Sequence, residues 1–200
     1  LALRHPPTLA VGCGRQAALA TRLLRARGAR AVQVLDPRID TRHWDVVVAP
    51  QHDALRGGNV VRLLGSLHPV DDLWLARARL AFPGLADLPA PRTVLLVGAP
   101  TRHAALEDAA FAALLRQLAG HVRAEQGSLC VVASRRTPER WRGLVVQLPA
   151  ELPGLRWRDE RDGANPYAGL LAHAQRIVCT PDSVNMLSEA AATLAPVFLW

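Results

Sequence analysis

Short apolar runs alternate with amphipathic stretches from one end of the chain to the other, a pattern that predicts strand-helix units. In the first half, Leu9–Val11 reads as a strand, Gly12–Gln16 as a turn and Ala17–Arg27 as a helix. Gly28 stops that helix at the position past a helix end that favours glycine. Ala31–Leu35 is the next strand, broken by Asp36-Pro37. Trp44–Ala49 is a third, ended by Pro50, and a helix runs from Asp71 to Ala81.

A Pro-rich stretch follows, Phe82-Pro83-Gly84 and then Leu88-Pro89-Ala90-Pro91, and predicts the domain boundary. After it the pattern restarts. A strand at Thr93–Val97, a long helix over Ala104–Glu125, a strand at Leu129–Ala133 and a helix opening at Pro138–Gly143 come first. A short strand near Leu155–Arg158, a helix over Pro166–Ala174 and a strand at Ile177–Thr180 come next. A helix from Asn185 to Leu194 and a strand at Val197–Leu199 complete the series, with no internal repeat of fixed period. The expected fold is α/β: two Rossmann-like, doubly wound domains with parallel sheets, residues 1–88 and 89–200. The chain begins at Leu1 without Met and stops at Trp200 just as a strand ends. Both domains are therefore expected to be truncated, and targeting is not judged.

Half of the 200 residues are hydrophobic and a fifth are charged, the balance of a folded chain rather than a disordered one. No apolar stretch reaches the length of a membrane span. The net charge of +7 raises the question of nucleic acid. All 24 basic residues are arginines, however, scattered along the chain, and no zinc-finger or RNP-type signature accompanies them. A basic cleft for an anionic small molecule fits equally well. Cys13, Cys130 and Cys179 are an odd number without metal-ligand spacing, and two lie in apolar runs; they read as reduced core residues of a cytoplasmic protein.

The run from Ile177 to Ala190 reads as a buried strand, a polar turn and a helix. Asp182, Ser183 and Asn185 are cap-forming residue types, whose side-chain oxygens accept the unpaired N–H groups of a first helical turn. A helix N-terminus at the end of a buried strand suits a phosphate. Glu189 projects from the same end, on the face of Asn185, where a carboxylate can accept two ribose hydroxyls. The plainer alternative is that Asp182, Ser183 and Asn185 merely cap.

The other strand ends carry polar residues too: Gly12–Gln16, Pro50–Asp53, Gly98–Thr101 and Ser134–Thr137. Ligands bind there in doubly wound sheets. Ser134, Arg135, Arg136 and Thr137 suit a phosphate, or else open the next helix with two solvated arginines. Gly12, Gly14, Arg15 and Gln16 form a glycine-rich turn but not the dinucleotide fingerprint, whose third glycine is Ala17 here. Pro50-Gln51-His52-Asp53 sets a histidine beside a carboxylate, a candidate base or ordinary surface chemistry. Asn59 and His68 belong to turns, and Asn165-Pro166-Tyr167 reads as a helix start whose Tyr167 joins a buried stripe.

In order, Gly12–Gln16, Pro50–Asp53, Ser134–Thr137, Asn165–Tyr167 and Thr180–Ala190 resemble the bacterial and plant family named after a plant mitochondrial fission factor, the elongated-mitochondria family. The resemblance covers nearly the whole chain. One departure is Thr193-Leu194-Ala195-Pro196, where related proteins favour glycine before the proline. The family is similar to GT-B glycosyltransferases, which have two Rossmann-like domains. The resemblance implies a second domain that holds a nucleoside-diphosphate sugar. Ser134, Arg135 and Ser183 to Met186 would lie near the diphosphate and Glu189 near the ribose. Gly98, Thr101, Arg136, Thr137, Asp182, Asn185 and Ser188 join them as expected donor-binding residues. The first domain would hold an acceptor such as a cell-envelope lipid or saccharide, near Gly12, Gly14, Arg15 and Gln16.

An inverting transfer needs a base on the first domain, and His52 or Asp53 is the expected one, with Arg15 and Gln16 orienting the acceptor or a phosphate. No cofactor or metal is expected, because helix dipoles and basic side chains can stabilise a departing diphosphate and no Asp-x-Asp motif is present. An epimerase needing a dinucleotide fingerprint and a Tyr-x-x-x-Lys pair is excluded, since the chain has one tyrosine and no lysine. The expected location is the cytoplasm or the inner face of the membrane, with no nucleic-acid partner. The rival reading is a non-catalytic protein that uses the GT-B scaffold for interaction at a membrane or division site.

Overall fold

The apolar runs form parallel strands in two separate sheets. The computed structural model describes residues 4–101 and 104–200, and the chain divides into two units, Leu1–Leu67 and His68–Trp200.

In the first unit, β1 (Leu9–Cys13), β2 (Arg30–Val34), β3 (Val46–Pro50) and β4 (Val60–Leu63) pair in chain order, all parallel. Helix α1 (Gly14–Arg25) crosses from β1 to β2. Along β1, Ala10 and Gly12 are buried while Leu9, Val11 and Cys13 are exposed, so helix covers one face only. The unit's core is small: Ala18, Ala31, Trp44 and Val47. A polar chain runs through it. Trp44 Nε1 donates to Thr21 Oγ1 at 2.8 Å, Thr21 Oγ1 donates to Gln33 Oε1 at 3.1 Å, and Gln33 Nε2 donates to the Gly14 carbonyl at 2.9 Å. All three side chains are buried, where an unmade hydrogen bond costs more than a made one contributes.

In the second unit, β5 (Arg92–Val97), β6 (Ser128–Ala133), β7 (Arg156–Trp157), β8 (Arg176–Cys179) and β9 (Val197–Leu199) form a parallel sheet in the order β7-β6-β5-β8-β9. The order reverses at β5, which pairs with both β6 and β8. The helices are α2 (Asp72–Ala81), α3 (Asp108–Ala124), α4 (Glu139–Val146), α5 (Tyr167–His173) and α6 (Val184–Ala191). Alternate residues of the central strands enter two cores. Val94, Leu96, Cys130, Ile177 and Cys179 pack with α2 and α5, while Leu95, Val97, Leu129, Val131 and Val178 pack with α3 and α4. Both faces are therefore covered, the usual state of a parallel sheet.

The division at Leu67/His68 differs from the expected 88/89. Leu75, Ala78 and Leu85 share a core with Leu170 and Leu171, and Arg79 Nε donates to the Ala172 carbonyl at 2.9 Å. At Gly169 a Cβ would lie 2.6 Å from Phe82. The Pro-rich stretch thus sits inside the second unit. Strand β4 was not expected, and α3 starts at Asp108 rather than Ala104.

Candidate functional site

Three strand ends of the second unit are stitched together by short polar side chains. Thr137 Oγ1 lies 2.9 Å from the Val97 carbonyl and 2.8 Å from that of Gly98, tying the turn after β6 to the end of β5. Ser134 Oγ is 3.1 Å from Thr137 Oγ1 and accepts from the Arg136 amide at 3.2 Å. Thr180 Oγ1, at the end of β8, accepts from the Gly98 amide at 2.8 Å and donates to Asp182 Oδ1 at 2.6 Å. Arg136 Nη2 closes the arrangement on Asp182 Oδ2 at 3.2 Å. The Asp182 side chain is 0% exposed and that of Arg136 57% exposed, so a buried carboxylate is capped by an arginine that reaches solvent.

Asp182 therefore does not cap α6. Its carboxylate turns inward across Gly98, where a Cβ would meet it at 2.0 Å. Ser183 is the cap instead, accepting from the Met186 amide at 3.4 Å. Asn185 is exposed on the first turn, and Ser188 Oγ donates to the Val184 carbonyl at 2.8 Å. Thr101 pairs with Ala104 across residues 102 and 103, which lie outside the described residues.

Beside these ends is a pocket of about 360 Å³, lined by Val132, Ala133, Ser134, Arg135, Trp157, Glu160, Asn165, Tyr167 and Met186. A neighbouring hollow of about 290 Å³ shares Ser134, Arg135, Trp157 and Glu160 and adds Arg142, Arg158, Asp159 and Arg161. Arg135 is exposed at the rim of both. Glu189 is not among the lining residues but is joined to one of them: its Oε2 accepts from the Tyr167 hydroxyl at 2.5 Å. Among the described residues Glu189 Oε1 has no hydrogen bond. Burial, then the bond to Glu189, holds the Tyr167 hydroxyl protonated well above the ordinary tyrosine range, so it remains the donor.

Sequence reasoning missed Trp157, Glu160 and Arg142 and assigned Tyr167 only to a stripe. Arg142 is the frame of the pocket wall. It donates to the carbonyls of Thr137, Ser134 and Arg158 and to the Asp159 carboxylate. Asp159 is held far below the usual carboxylate range, chiefly by the side chain of Arg161. A polar helix residue whose partners are main-chain carbonyls of two other loops leaves no periodic signal.

On the first unit, Gly12 is a packing glycine: a Cβ there would lie 2.5 Å from Thr21 Cγ2. Gly14 opens α1 at φ +71°, a conformation that favours glycine. Arg15 and Gln16 follow, exposed on the first turn of α1. Gln51–Asp53 is a 3-10 turn at the carboxyl end of β3. His52 Nε2 lies 3.9 Å from Asp53 Oδ1, close but not hydrogen-bonded. Gly12–Gln16 and Gln51–Asp53 thus stand at strand ends of the first unit, and Gly98, Ser134–Thr137 and Asp182 follow strands of the second, with Asn185, Met186, Ser188 and Glu189 on α6. Among the described residues no cluster of His, Cys, Asp and Glu is placed to hold a metal ion, and no helix is long and apolar enough to cross a membrane.

The chain belongs to the family described as mitochondrial fission ELM1, whose model matches residues 1–200. It is 28% identical over 221 residues to the mitochondrial fission protein ELM1 of Arabidopsis thaliana, covering 96% of this chain and 51% of that protein. It is 22% identical over 234 residues to the uncharacterized protein RP120 of Rickettsia prowazekii, covering 98% of this chain and 65% of that one. The chain thus spans about half to two-thirds of the length of these relatives. Among solved structures it is similar to the UDP-GlcNAc 2-epimerase of Methanocaldococcus jannaschii, with a TM-score of 0.59 at 12% identity over 99% of this chain and 62% of that one. That likeness establishes the fold: two Rossmann-like lobes of the GT-B-like two-domain plan.

Proposed function

We propose that this member of the mitochondrial fission ELM1 family binds a nucleoside-diphosphate sugar on its second unit and transfers the sugar to an acceptor. The observation that carries the reading is the Glu189 carboxylate, oriented by Tyr167 beside a pocket at the strand ends and left with one oxygen for a ribose hydroxyl. Arg135 supplies exposed positive charge, Arg136 being paired with Asp182, and the α6 N-terminus supplies amide donors and the positive end of its dipole. Together they stabilise the charge that collects on a departing diphosphate. The fold is shared with a UDP-GlcNAc 2-epimerase. His52 or Asp53 is the proposed base, with Arg15 and Gln16 orienting the acceptor, for which a cell-envelope lipid or saccharide is the proposed class.

The same fold likeness favours a second reading, epimerisation of the nucleotide sugar. The missing fingerprint and lysine exclude only dinucleotide-dependent epimerases, and the similar structure is a UDP-GlcNAc 2-epimerase. Calorimetric titration with UDP, GDP, ADP and their sugars tests binding. Glu189→Ala should weaken the preferred nucleotide by about 1.5–3 kcal/mol, the range for a hydrogen bond to a charged group. Unchanged affinity in a folded variant removes Glu189 from the site, and no binding of any nucleotide leaves the non-catalytic reading. Product analysis then separates transfer from conversion to the C2 epimer. Loss of the proposed base should lower transfer about 10²–10⁴-fold, read by assaying His52→Ala and Asp53→Asn with donor affinity alongside. Near-normal turnover in both places the base elsewhere.

A further inference from the structure

The excess positive charge is shared unequally between the units. Residues 1–67 hold ten arginines against four aspartates and no glutamate, whereas residues 68–200 hold fourteen arginines against thirteen acids. On the first unit much of it meets at one place. The last turn of α1 and the start of β2 enclose a depression of about 560 Å³ whose lining includes Arg22, Arg25, Arg30, His43 and Asp45. Arg25 is fixed there, bonded to Asp45 Oδ1 at 3.1 Å and to the Arg42 carbonyl at 2.9 Å. That pairing uses the depression's one carboxylate. Among the described residues Arg22 and Arg30 make no ion pair, and both are exposed. The depression lies at the end of the sheet opposite Gly14–Gln16 and Gln51–Asp53, so the proposed acceptor residues do not account for it.

Apolar surface adjoins it. Leu19 and Leu23 are 64% and 43% exposed, one helical turn apart on the outer face of α1, and Arg22, three positions after Leu19, flanks them on the same helix. Exposed leucines on a helix next to arginines that make no ion pair are the features that seat a protein on an anionic bilayer, the arginines on headgroups and the leucines below them.

We infer that the outer face of α1 and the depression at its C-terminal end form a docking surface for an anionic lipid bilayer. A free phosphate needs only the arginines, and a nucleic acid finds no use for the leucines. The surface is independent of the nucleotide pocket, and its failure leaves that reading untouched.

The test is co-sedimentation of the full-length protein with vesicles of phosphatidylcholine alone and of phosphatidylcholine with phosphatidylglycerol, at low and high salt. Binding should require the anionic lipid and fall with salt. The double substitution Arg22→Glu with Arg30→Glu should weaken it by about tenfold or more, given the attraction per arginine at an anionic surface. Lysine at both positions should restore it. Leu19→Asp with Leu23→Asp should also weaken it, about tenfold, because the leucines enter the apolar layer. These four side chains are exposed, and circular dichroism checks the fold of each variant. Equal binding to neutral vesicles, no effect of the arginine reversal, full competition by inorganic phosphate, or binding of duplex DNA unaffected by the leucine changes would each overturn the inference.

Discussion

The two units are made from the same strand-helix pattern but bury it in different ways. In the second, β6 is buried at every position and both sheet faces carry a core, with Phe111 stacked on Trp141 at 4.2 Å. In the first, one sheet face is covered, the core is four residues, and a hydrogen-bonded chain of Thr21, Gln33 and Trp44 replaces much of the apolar packing. Geometry held by dense packing is stiff, because a well-packed interior resists small displacements. The candidate nucleotide pocket sits on the unit of that kind. The unit with less packing carries most of the net charge.

The strongest challenge to this contrast is a cavity in the second unit. Phe111→Ala should cost about 3–5 kcal/mol there. Hydrogen exchange should show β5, β6 and β8 losing protection while β1–β3 keep theirs. Loss spread equally over both units would mean that they unfold together. Next in size is a polar deletion in the first unit. Thr21→Val leaves Trp44 Nε1 and Gln33 Oε1 buried without their partner, a cost of about 1–3 kcal/mol. Denaturant unfolding should register it, with exchange placing the loss in β1–β3. If Thr21→Val is neutral, the polar chain is not what holds the unit.

A smaller effect tests the pocket wall. Tyr167→Phe should cost about 0.5–1.5 kcal/mol in stability, the net worth of one hydrogen bond. It should also loosen nucleotide binding by freeing Glu189, and unchanged affinity would separate the pair from the site. The last prediction is silent at neutral pH. Burial pushes the Cys179 thiol from 9.0 up to about 12, raises Cys130 as well, and helps raise Tyr167 above 10.0. The folded state therefore holds these protons more tightly than the unfolded one. Their contribution is complete below pH 9 and is lost as the pH climbs from there toward 12. All three are on the second unit, whereas Cys13 of the first is exposed. Alkaline melts should therefore show the second unit failing first, and equal sensitivity of both would contradict the burial assignment.

Much of this was legible in the residues because strand and helix periods are local. The strands from Leu9 to Leu199 were found within a few positions, and β4 escaped because Val60–Leu63 is brief and follows Gly57-Gly58-Asn59. The division by contacts departs from the Pro-rich stretch for a different reason. Prolines and glycines mark where an element ends, not where contacts cease, and Leu75, Phe82 and Leu85 find their partners almost ninety residues later. The site divides along the same line. Glu189, on the helix after β8, and the Ser134–Thr137 turn, after β6, were readable as residue types. That Tyr167 would orient Glu189, that Arg142 would frame the wall, and that Asp182 would turn inward depend on side chains meeting across the sheet.

The contact between Gly98 and Asp182 makes the order of substitutions matter. A methyl group at 98 collides with the carboxylate at 2.0 Å, so Gly98→Ala evicts Asp182 and releases Arg136 with it. If Asp182 is first replaced by a smaller residue, the same methyl enters vacated space. Lineages can therefore pass through this corner of sequence in one direction far more readily than in the other. An alanine at 98 in a descendant protein would be a record that the aspartate had already gone.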